Sequence, residues 1–125
     1  ICLTINSRDE YLNILANSDL YIMNSYSEGF GLVLLEAMAS GLPVICSDGK
    51  GNRDIIVEGK NGFLVTERSP KLLAAKIELL LNDNEMRTTM GKFAQSYVQS
   101  FGITAYVDRL ITCYQNAHEN LKNRH

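Results

Sequence analysis

The alternation of short apolar runs with helical patterns is the feature that most restricts how this chain can fold. Four runs have the length and composition of strands, at residues 1–5, 20–23, 43–46 and 63–65. Nearly continuous apolar runs of this kind are typical of parallel strands that are covered on both faces. Because helical patterns follow the first, second and fourth runs, the order predicts an α/β fold with a parallel sheet. Right-handed crossovers then place helices on both faces of that sheet.

Capping and stop signals delimit the predicted helices. A capping box at Ser7 and Glu10 predicts a helix over residues 9–16, and Gly41 followed by Pro43 ends a helix over residues 32–40. Ser69-Pro70 begins a third helix, residues 82–85 form a capping box for a fourth, and a last stripe predicts a fifth. The inward apolar residues are interpreted as core: Tyr11, Leu12, Leu15, Leu73, Ile77, Leu80, Leu81, Met86, Met90, Phe93, Tyr97, Tyr106, Val107, Leu110, Ile111, Tyr114 and Leu121.

Two loops follow predicted strands. The polar residues 24–31 follow the second strand, the glycine-rich residues 47–52 follow the third, and residues 53–57 are not assigned to any element. In parallel α/β sheets, ligands bind beyond the carboxyl ends of the strands. These two loops are therefore the predicted place of a binding site.

Composition restricts the class of protein. The chain has 125 residues, enough for one domain, and its formal net charge of −2 argues against nucleic acid as a partner. The sequence shows neither a signal peptide nor an apolar run of the roughly 18 residues that a membrane span needs. Three scattered cysteines and two histidines near the tail predict buried, reduced thiols in a cytoplasmic protein, with no metal site.

The loop after the second strand carries the chemistry. Gly29 and Gly31 lack a Cβ, so a ligand can approach the backbone closely. The first amides of the following helix, around Gly31 to Val33, have no partner within the helix, and the helix dipole favours a negative charge there. This geometry predicts a site for a phosphate group.

Two carboxylates flank the predicted phosphate site. Glu28 lies in the loop just before it, where it could meet sugar hydroxyls or a developing positive charge, and Glu36 lies about one turn into the helix. A carboxylate at that position can accept two hydrogen bonds from the vicinal diol of a ribose. Each glutamate taken alone is better explained as an ordinary loop acid or as an exposed helix carboxylate, and both alternatives stay open on spacing alone.

The surrounding residues resemble the signature of glycosyltransferase family 4, in which seven residues separate two glutamates. The matching segments are Ser25, Glu28-Gly29-Phe30-Gly31, Glu36-Ala37-Met38-Ala39, Gly41-Leu42-Pro43-Val44 and Asn61-Gly62-Phe63-Leu64-Val65. The resemblance extends over essentially the whole chain. It implies the GT-B architecture, in which two Rossmann-like halves enclose the active site, and it places this chain in the C-terminal half.

The resemblance also implies a reaction and a set of site residues. The family transfers a sugar from a nucleotide-diphosphate sugar with retention at the anomeric carbon, and it uses neither a metal nor a further cofactor. Glu28 would be catalytic and would contact the sugar together with Gly29, Phe30 and Gly31. The backbone of Leu32 and Val33 would hold the diphosphate, and Glu36 would bind the ribose. Residues 6–8 would lie near the nucleobase.

Differences from the family pattern indicate what lies outside this chain. The family's basic pair for the diphosphate comes earlier in this domain, and the acceptor binds to an N-terminal domain. We therefore expect residues 1–125 to be part of the C-terminal nucleotide-sugar-binding domain, without its first strand and helix, and to be inactive alone. The loop from Lys50 to Asp54 is similar to that of some capsule and exopolysaccharide transferases. This similarity favours a hexosyltransferase of bacterial surface polysaccharide synthesis, acting on a glycan or lipid-linked acceptor.

Other classes of protein remain as alternatives. The same half-domain could bind a nucleotide sugar without turnover, and peripheral association of the full-length enzyme with a membrane stays open. A dinucleotide-binding oxidoreductase would need a G-x-G-x-x-G motif after the first strand. The residues that follow Ile5 are Asn6-Ser7-Arg8-Asp9-Glu10, without any glycine, so this class is strongly disfavoured.

Overall fold

The computed structural model describes residues 4–25, 31–66 and 69–102 of the chain. In this part the elements alternate between helix and strand before two final helices. They are α1 (Arg8–Ala16), β1 (Tyr21–Met23), α2 (Leu32–Ala39), β2 (Val44–Ser47), α3 (Lys50–Ile55), β3 (Gly62–Val65), α4 (Pro70–Asn82) and α5 (Asn84–Gln99).

The described strands form a parallel sheet in the order β1-β2-β3. Tyr21 pairs with Val44 across the first interface, and Val44 pairs with Gly62 across the second. All four residues of the central strand β2 are buried. The sheet is therefore parallel and its central strand apolar, as the sequence predicts.

Helices cover both faces of the sheet. Val44 and Cys46 of β2 belong to a buried cluster with Leu34, Ala37 and Met38 of α2. Ile45, which points the other way along the same strand, belongs to a second cluster with Leu80 of α4 and Met90 of α5. The prediction of an α/β sheet with helices on both faces is thus confirmed.

Side-chain caps start three of the helices. The Ser7 hydroxyl accepts a hydrogen bond from the Glu10 amide at 3.1 Å, and Ser69 caps α4 ahead of Pro70. The fourth predicted helix begins differently: the Asp83 carboxylate, and not Asn82, accepts from the Met86 amide at 2.8 Å. An aspartate satisfies the free amides of a first turn as well as an asparagine does, so spacing alone did not place this cap.

Three residues assigned to the core are instead exposed: Leu12, Leu81 and Phe93. Leu81 follows the buried Leu80 and lies about 100° further around α4, on the solvent side. Leu12 follows the half-buried Tyr11 in the same way on α1. The predicted apolar stripes of α1 and α4 each included one residue too many. A helix that packs on a single face buries only a narrow arc of its surface, so the residue next to a buried one is exposed.

The prediction of a loop over residues 47–52 is wrong for its second half, where α3 begins at Lys50. Gly51, inside this segment, disfavours a helix here. Burial of Asn52 and Ile55 outweighs that preference, and the side-chain Nδ2 of Asn52 donates to the Ser47 carbonyl at 2.7 Å. Tertiary contacts therefore determine the conformation of this segment.

Some predictions concern residues outside the part of the chain that the structure describes. The last helix, with its stripe from Tyr106 to Leu121, lies outside the described residues, as do Cys2, Cys113 and both histidines. Of the predicted strand at residues 1–5, only residues 4 and 5 are described, and they are not in a strand. Cys46 is a buried free thiol, as predicted. In the described part of the chain, no helix is both long and apolar enough to cross a membrane.

Candidate functional site

The candidate site lies at the edge where the parallel strands end. The loop after β1 leads to α2, and the loop after β2 leads to α3, so both loops are at the carboxyl ends of neighbouring strands. The Ser47 hydroxyl donates a hydrogen bond to the Ser25 carbonyl and joins the two loops. Two open grooves, near Gly59-Lys60 and near Gly41-Leu42-Pro43, lie at the amino ends of the strands and are not part of this site.

Helix α2 presents an uncapped N-terminus at this edge. Gly31 occupies the cap position and has no side chain to satisfy the first amides. The amides of Leu34 and Leu35 both donate to the Gly31 carbonyl, at 3.0 and 3.3 Å, so the helical hydrogen bonding begins there. The preceding amides, which include those of Leu32 and Val33, are the ones that a regular helix leaves without an internal partner. Leu32, the first residue of the helix, is exposed, whereas Gly31 before it is buried.

Gly31 has a packing role that the sequence did not reveal. A Cβ at this position would lie 3.0 Å from Cδ1 of Leu34 and 3.3 Å from Cδ1 of Ile55. Both distances are shorter than ordinary van der Waals contacts. The glycine is itself buried, and it lets α2 and α3 approach each other.

Glu36 is partly buried and carries an ion pair. Its side chain is 25% exposed, and Oε1 lies 2.7 Å from Nη2 of Arg8, whose side chain is 63% exposed. Arg8 is the first residue of α1, and its guanidinium carbon lies 5.8 Å from the centre of the Tyr11 ring. The structure therefore gives Glu36 a fixed partner, unlike a freely solvated helix carboxylate.

The Tyr11 hydroxyl is buried next to this carboxylate. It has no hydrogen-bond partner of standard geometry within the described residues. Burial, followed by the nearby Tyr21 and Glu36, raises the pKa of Tyr11 to about 12. The phenol thus keeps its proton at neutral pH and is a potential donor beside Glu36.

A second ion pair joins Asp48, in the loop after β2, to Arg53 of α3. Arg53 Nη2 donates to Asp48 Oδ2 at 3.1 Å, and Arg53 Nε contacts the other carboxylate oxygen. The hydrogen bond from Arg53 lowers the pKa of the Asp48 carboxyl below its ordinary value. Lys50 is exposed. Arg53 is exposed as well, but it has an acidic partner in Asp48.

The predicted site residues divide into two groups. Gly31, Leu32, Val33 and Glu36 are described, and the structure brings them together on the first turns of α2. Glu28, Gly29 and Phe30 lie outside the described residues. The sequence did not predict the contact of Arg8 with Glu36 or the position of Tyr11 beside it. Arg8 and Tyr11 lie in the first turn of α1, the helix before β1. Because that turn also lies at the carboxyl edge of the sheet, their position in the sequence could have indicated that they are near the site.

Comparison with known proteins gives one matching family model, described as "Glycosyl transferases group 1", over residues 2–97. A curated relative, the D-inositol 3-phosphate glycosyltransferase of Corynebacterium efficiens, is 34% identical over 109 residues, which are 87% of this chain and 26% of the relative. The chain therefore spans about a quarter of the length of that relative.

Two solved structures are similar to this chain. The sucrose-phosphate synthase of Thermosynechococcus elongatus is 32% identical, with a TM-score of 0.80 over 89% of this chain and 28% of that one. The HepE protein of Anabaena, solved in complex with UDP-glucose, is 27% identical, with a TM-score of 0.78 over 88% of this chain and 30% of that one.

Proposed function

Because this chain belongs to the group 1 glycosyltransferases, we propose that it binds the donor, a nucleotide-diphosphate sugar, in an enzyme that transfers the sugar to an acceptor. In this proposal, residues 1–125 are part of the C-terminal domain of a two-domain GT-B enzyme. The acceptor, a glycan or a lipid-linked sugar, binds to the N-terminal domain. The enzyme acts in the cytoplasm, retains the anomeric configuration, and needs no metal or further cofactor.

The proposal rests on one observation: α2 combines an N-terminus that has no side-chain cap with a carboxylate that is ion-paired to Arg8. The N-terminus of α2 has no side-chain cap, and Glu36 lies about one turn further along the same helix. A diphosphate can accept hydrogen bonds from the first amides and gains from the helix dipole. From there a ribose can reach the Glu36 carboxylate, which accepts from both hydroxyls.

The remaining site residues complete the donor site in the proposal. Leu32 and Val33 bind the diphosphate through their amides, and Gly29, Phe30 and Gly31 contact the sugar. Glu28 lies on the sugar side of the diphosphate and stabilises the cationic anomeric centre in the transition state. A nucleotide sugar as donor is supported by HepE, the similar structure solved with UDP-glucose. The similarity of residues 50–54, at the start of α3, to those of some capsule and exopolysaccharide transferases supports a hexosyltransferase of bacterial surface polysaccharide synthesis.

Replacing Glu36 with alanine in the full-length enzyme tests the ribose role. We expect the KM for the donor to rise about ten-fold or more, because charge-assisted hydrogen bonds to a diol contribute roughly 1.5–3 kcal/mol. The donor is first identified from a panel of UDP-, GDP- and ADP-linked hexoses, and KM is then measured by steady-state kinetics.

A deoxy analogue sharpens this test. Removing the 2′-hydroxyl from the nucleotide should weaken binding to the wild-type enzyme and should cost little further in Glu36→Ala. Glu78→Ala removes an exposed carboxylate from α4 and serves as the matched control. An unchanged donor KM in a folded Glu36→Ala enzyme would refute the ribose role.

Residues 1–125 alone are expected to show no sugar transfer, because the proposal places the acceptor site and the basic pair for the diphosphate elsewhere. The assay compares product formation by this purified chain with that of the full-length enzyme at equal concentration. Donor binding by the full-length protein without any transfer, across an acceptor panel, would instead favour a binding module. Transfer by the isolated chain at a rate near that of the full enzyme would contradict the proposal that the acceptor site and the basic pair lie outside residues 1–125.

A further inference from the structure

We propose that Arg8 is a positioning residue for the donor: it holds the Glu36 carboxylate in the orientation that receives the ribose and offsets its negative charge. The inference rests on the proposed function, in which Glu36 binds the ribose. It adds a residue of α1 to a site otherwise built from α2 and the loop before it.

The position of Arg8 is fixed by the start of α1. Ser7 caps the helix, and the Glu10 carboxylate accepts a hydrogen bond from the Asn6 amide at 2.9 Å, so the backbone on both sides of Arg8 is held. The guanidinium lies over the Tyr11 ring while its Nη2 contacts Oε1 of Glu36. The backbone hydrogen bonds and the Tyr11 ring therefore both help to position Arg8 beside Glu36, although its side chain remains mostly exposed.

The contact leaves Glu36 able to bind a diol. An ionised carboxylate has about four lone-pair sites on its two oxygens. Arg8 uses a single guanidinium nitrogen on Oε1, and the Glu36 side chain is still 25% exposed, so lone-pair sites of the carboxylate remain for ribose hydroxyls. The buried Tyr11 hydroxyl lies beside the same carboxylate and, because it keeps its proton, does not add a second negative charge.

Charge gives Arg8 a second effect on donor binding. The proposed diphosphate lies one helical turn from Glu36, and two anionic groups at that spacing repel each other. The positive charge of Arg8 at 2.7 Å from the carboxylate reduces this repulsion. An ion pair exposed on one side contributes little to folding, so removing Arg8 should affect the ligand more than the fold.

A double-mutant cycle on the full-length enzyme tests this inference. Calorimetry first identifies which of UDP, GDP and ADP binds most tightly, and this nucleotide is then the probe. Arg8→Ala should raise its Kd roughly five- to ten-fold, which lies within the range of coupling between groups in contact. The same substitution in a Glu36→Ala background should have little effect. Arg8→Lys, which keeps the charge, should restore part of the affinity and serves as a second variant if Arg8→Ala is poorly folded.

The control and the outcomes separate the inference from the function on which it rests. Lys92→Ala removes an exposed positive charge from α5 and should leave the Kd unchanged. If Arg8→Ala weakens binding equally in both backgrounds, Arg8 contacts the nucleotide directly and the inference fails alone. The inference also fails alone if Arg8→Ala leaves the Kd unchanged. It fails alone as well if the substitution lowers the Kd, because Arg8 would then be competing with the nucleotide for Glu36. If Glu36→Ala itself leaves the Kd unchanged, the proposed ribose role fails and the inference fails with it.

Discussion

Replacing Glu28 with glutamine in the full-length enzyme is expected to lower kcat by about 10²–10³, the typical effect of removing one electrostatic stabiliser of a transition state. Glutamine keeps the shape and most of the hydrogen-bonding reach of glutamate but lacks its charge. In the proposed site that charge faces the anomeric carbon, which becomes cationic only as the bond to the diphosphate breaks. An interaction that strengthens in the transition state appears in kcat, so donor affinity should change little.

Steady-state kinetics and calorimetry together distinguish the roles of Glu28. The first gives kcat and KM for the glutamine variant, and the second gives its Kd for the donor. Glu78→Gln, on the exposed side of α4, is the matched control and should behave like the wild type. A raised KM with an unchanged kcat would make Glu28 a clamp for the ground-state sugar, and no change in either constant would make it an ordinary loop acid.

Replacing Gly91 with alanine is expected to destabilise the protein by about 2–4 kcal/mol, at the upper end of the range for overpacked positions. Gly91 is a buried residue of α5, and a Cβ there would overlap the carbonyl oxygen of Gly41 and lie 3.1 Å from its carbon. Alanine favours a helix by about 1 kcal/mol over glycine. The overlap should outweigh this gain, because a backbone carbonyl cannot move aside as a side chain can.

Urea unfolding of the full-length enzyme measures this effect as a change in the free energy of unfolding. Gly49→Ala is the matched control, since a Cβ at Gly49 would meet its nearest neighbour, Nδ2 of Asn52, at an ordinary 3.7 Å. The control should change stability by less than about 1 kcal/mol. If Gly91→Ala were as stable as the wild type, the close approach of α5 to the turn after α2 would have to be absent in solution.

The sequence predicted the fold well because the residues that begin and end its helices act on their immediate neighbours in the chain. Ser7 marks a helix start through its own hydroxyl, and Gly41 and Pro70 mark helix ends through their backbone geometry, Gly41 with the positive φ of 80° expected of a residue after a helix. The similarity to known group 1 glycosyltransferases confirms both the family resemblance and the fold expected for the C-terminal half of a GT-B enzyme. Helix α3 was missed because its stability comes from burial of Asn52 and Ile55, which its glycine-rich sequence does not indicate.

The candidate site was predictable only where it depends on neighbours in the sequence. The open N-terminus of α2 follows from Gly31 and the helical pattern after it. The Arg8–Glu36 pair joins residues 28 positions apart, and nothing in their spacing indicates that they meet. Their contact arises because α1 and α2 both begin at the carboxyl edge of one parallel sheet. Contacts of this kind require the three-dimensional arrangement of the helices.

The buried thiol of Cys46 makes the central strand open to chemical measurement. Burial, with smaller effects of Glu58 and Asp48, raises the pKa of Cys46 to about 12, so the folded protein offers a labelling reagent almost no thiolate. Since the unfolded thiol ionises near pH 8.5, this burial favours the folded state below that pH, and the contribution declines as the pH rises toward 12. With Cys2 and Cys113 replaced by serine, the rate of alkylation would report how often the sheet separates around β2. A donor that binds only the folded protein would slow that rate, so its occupancy could be followed without an assay of sugar transfer.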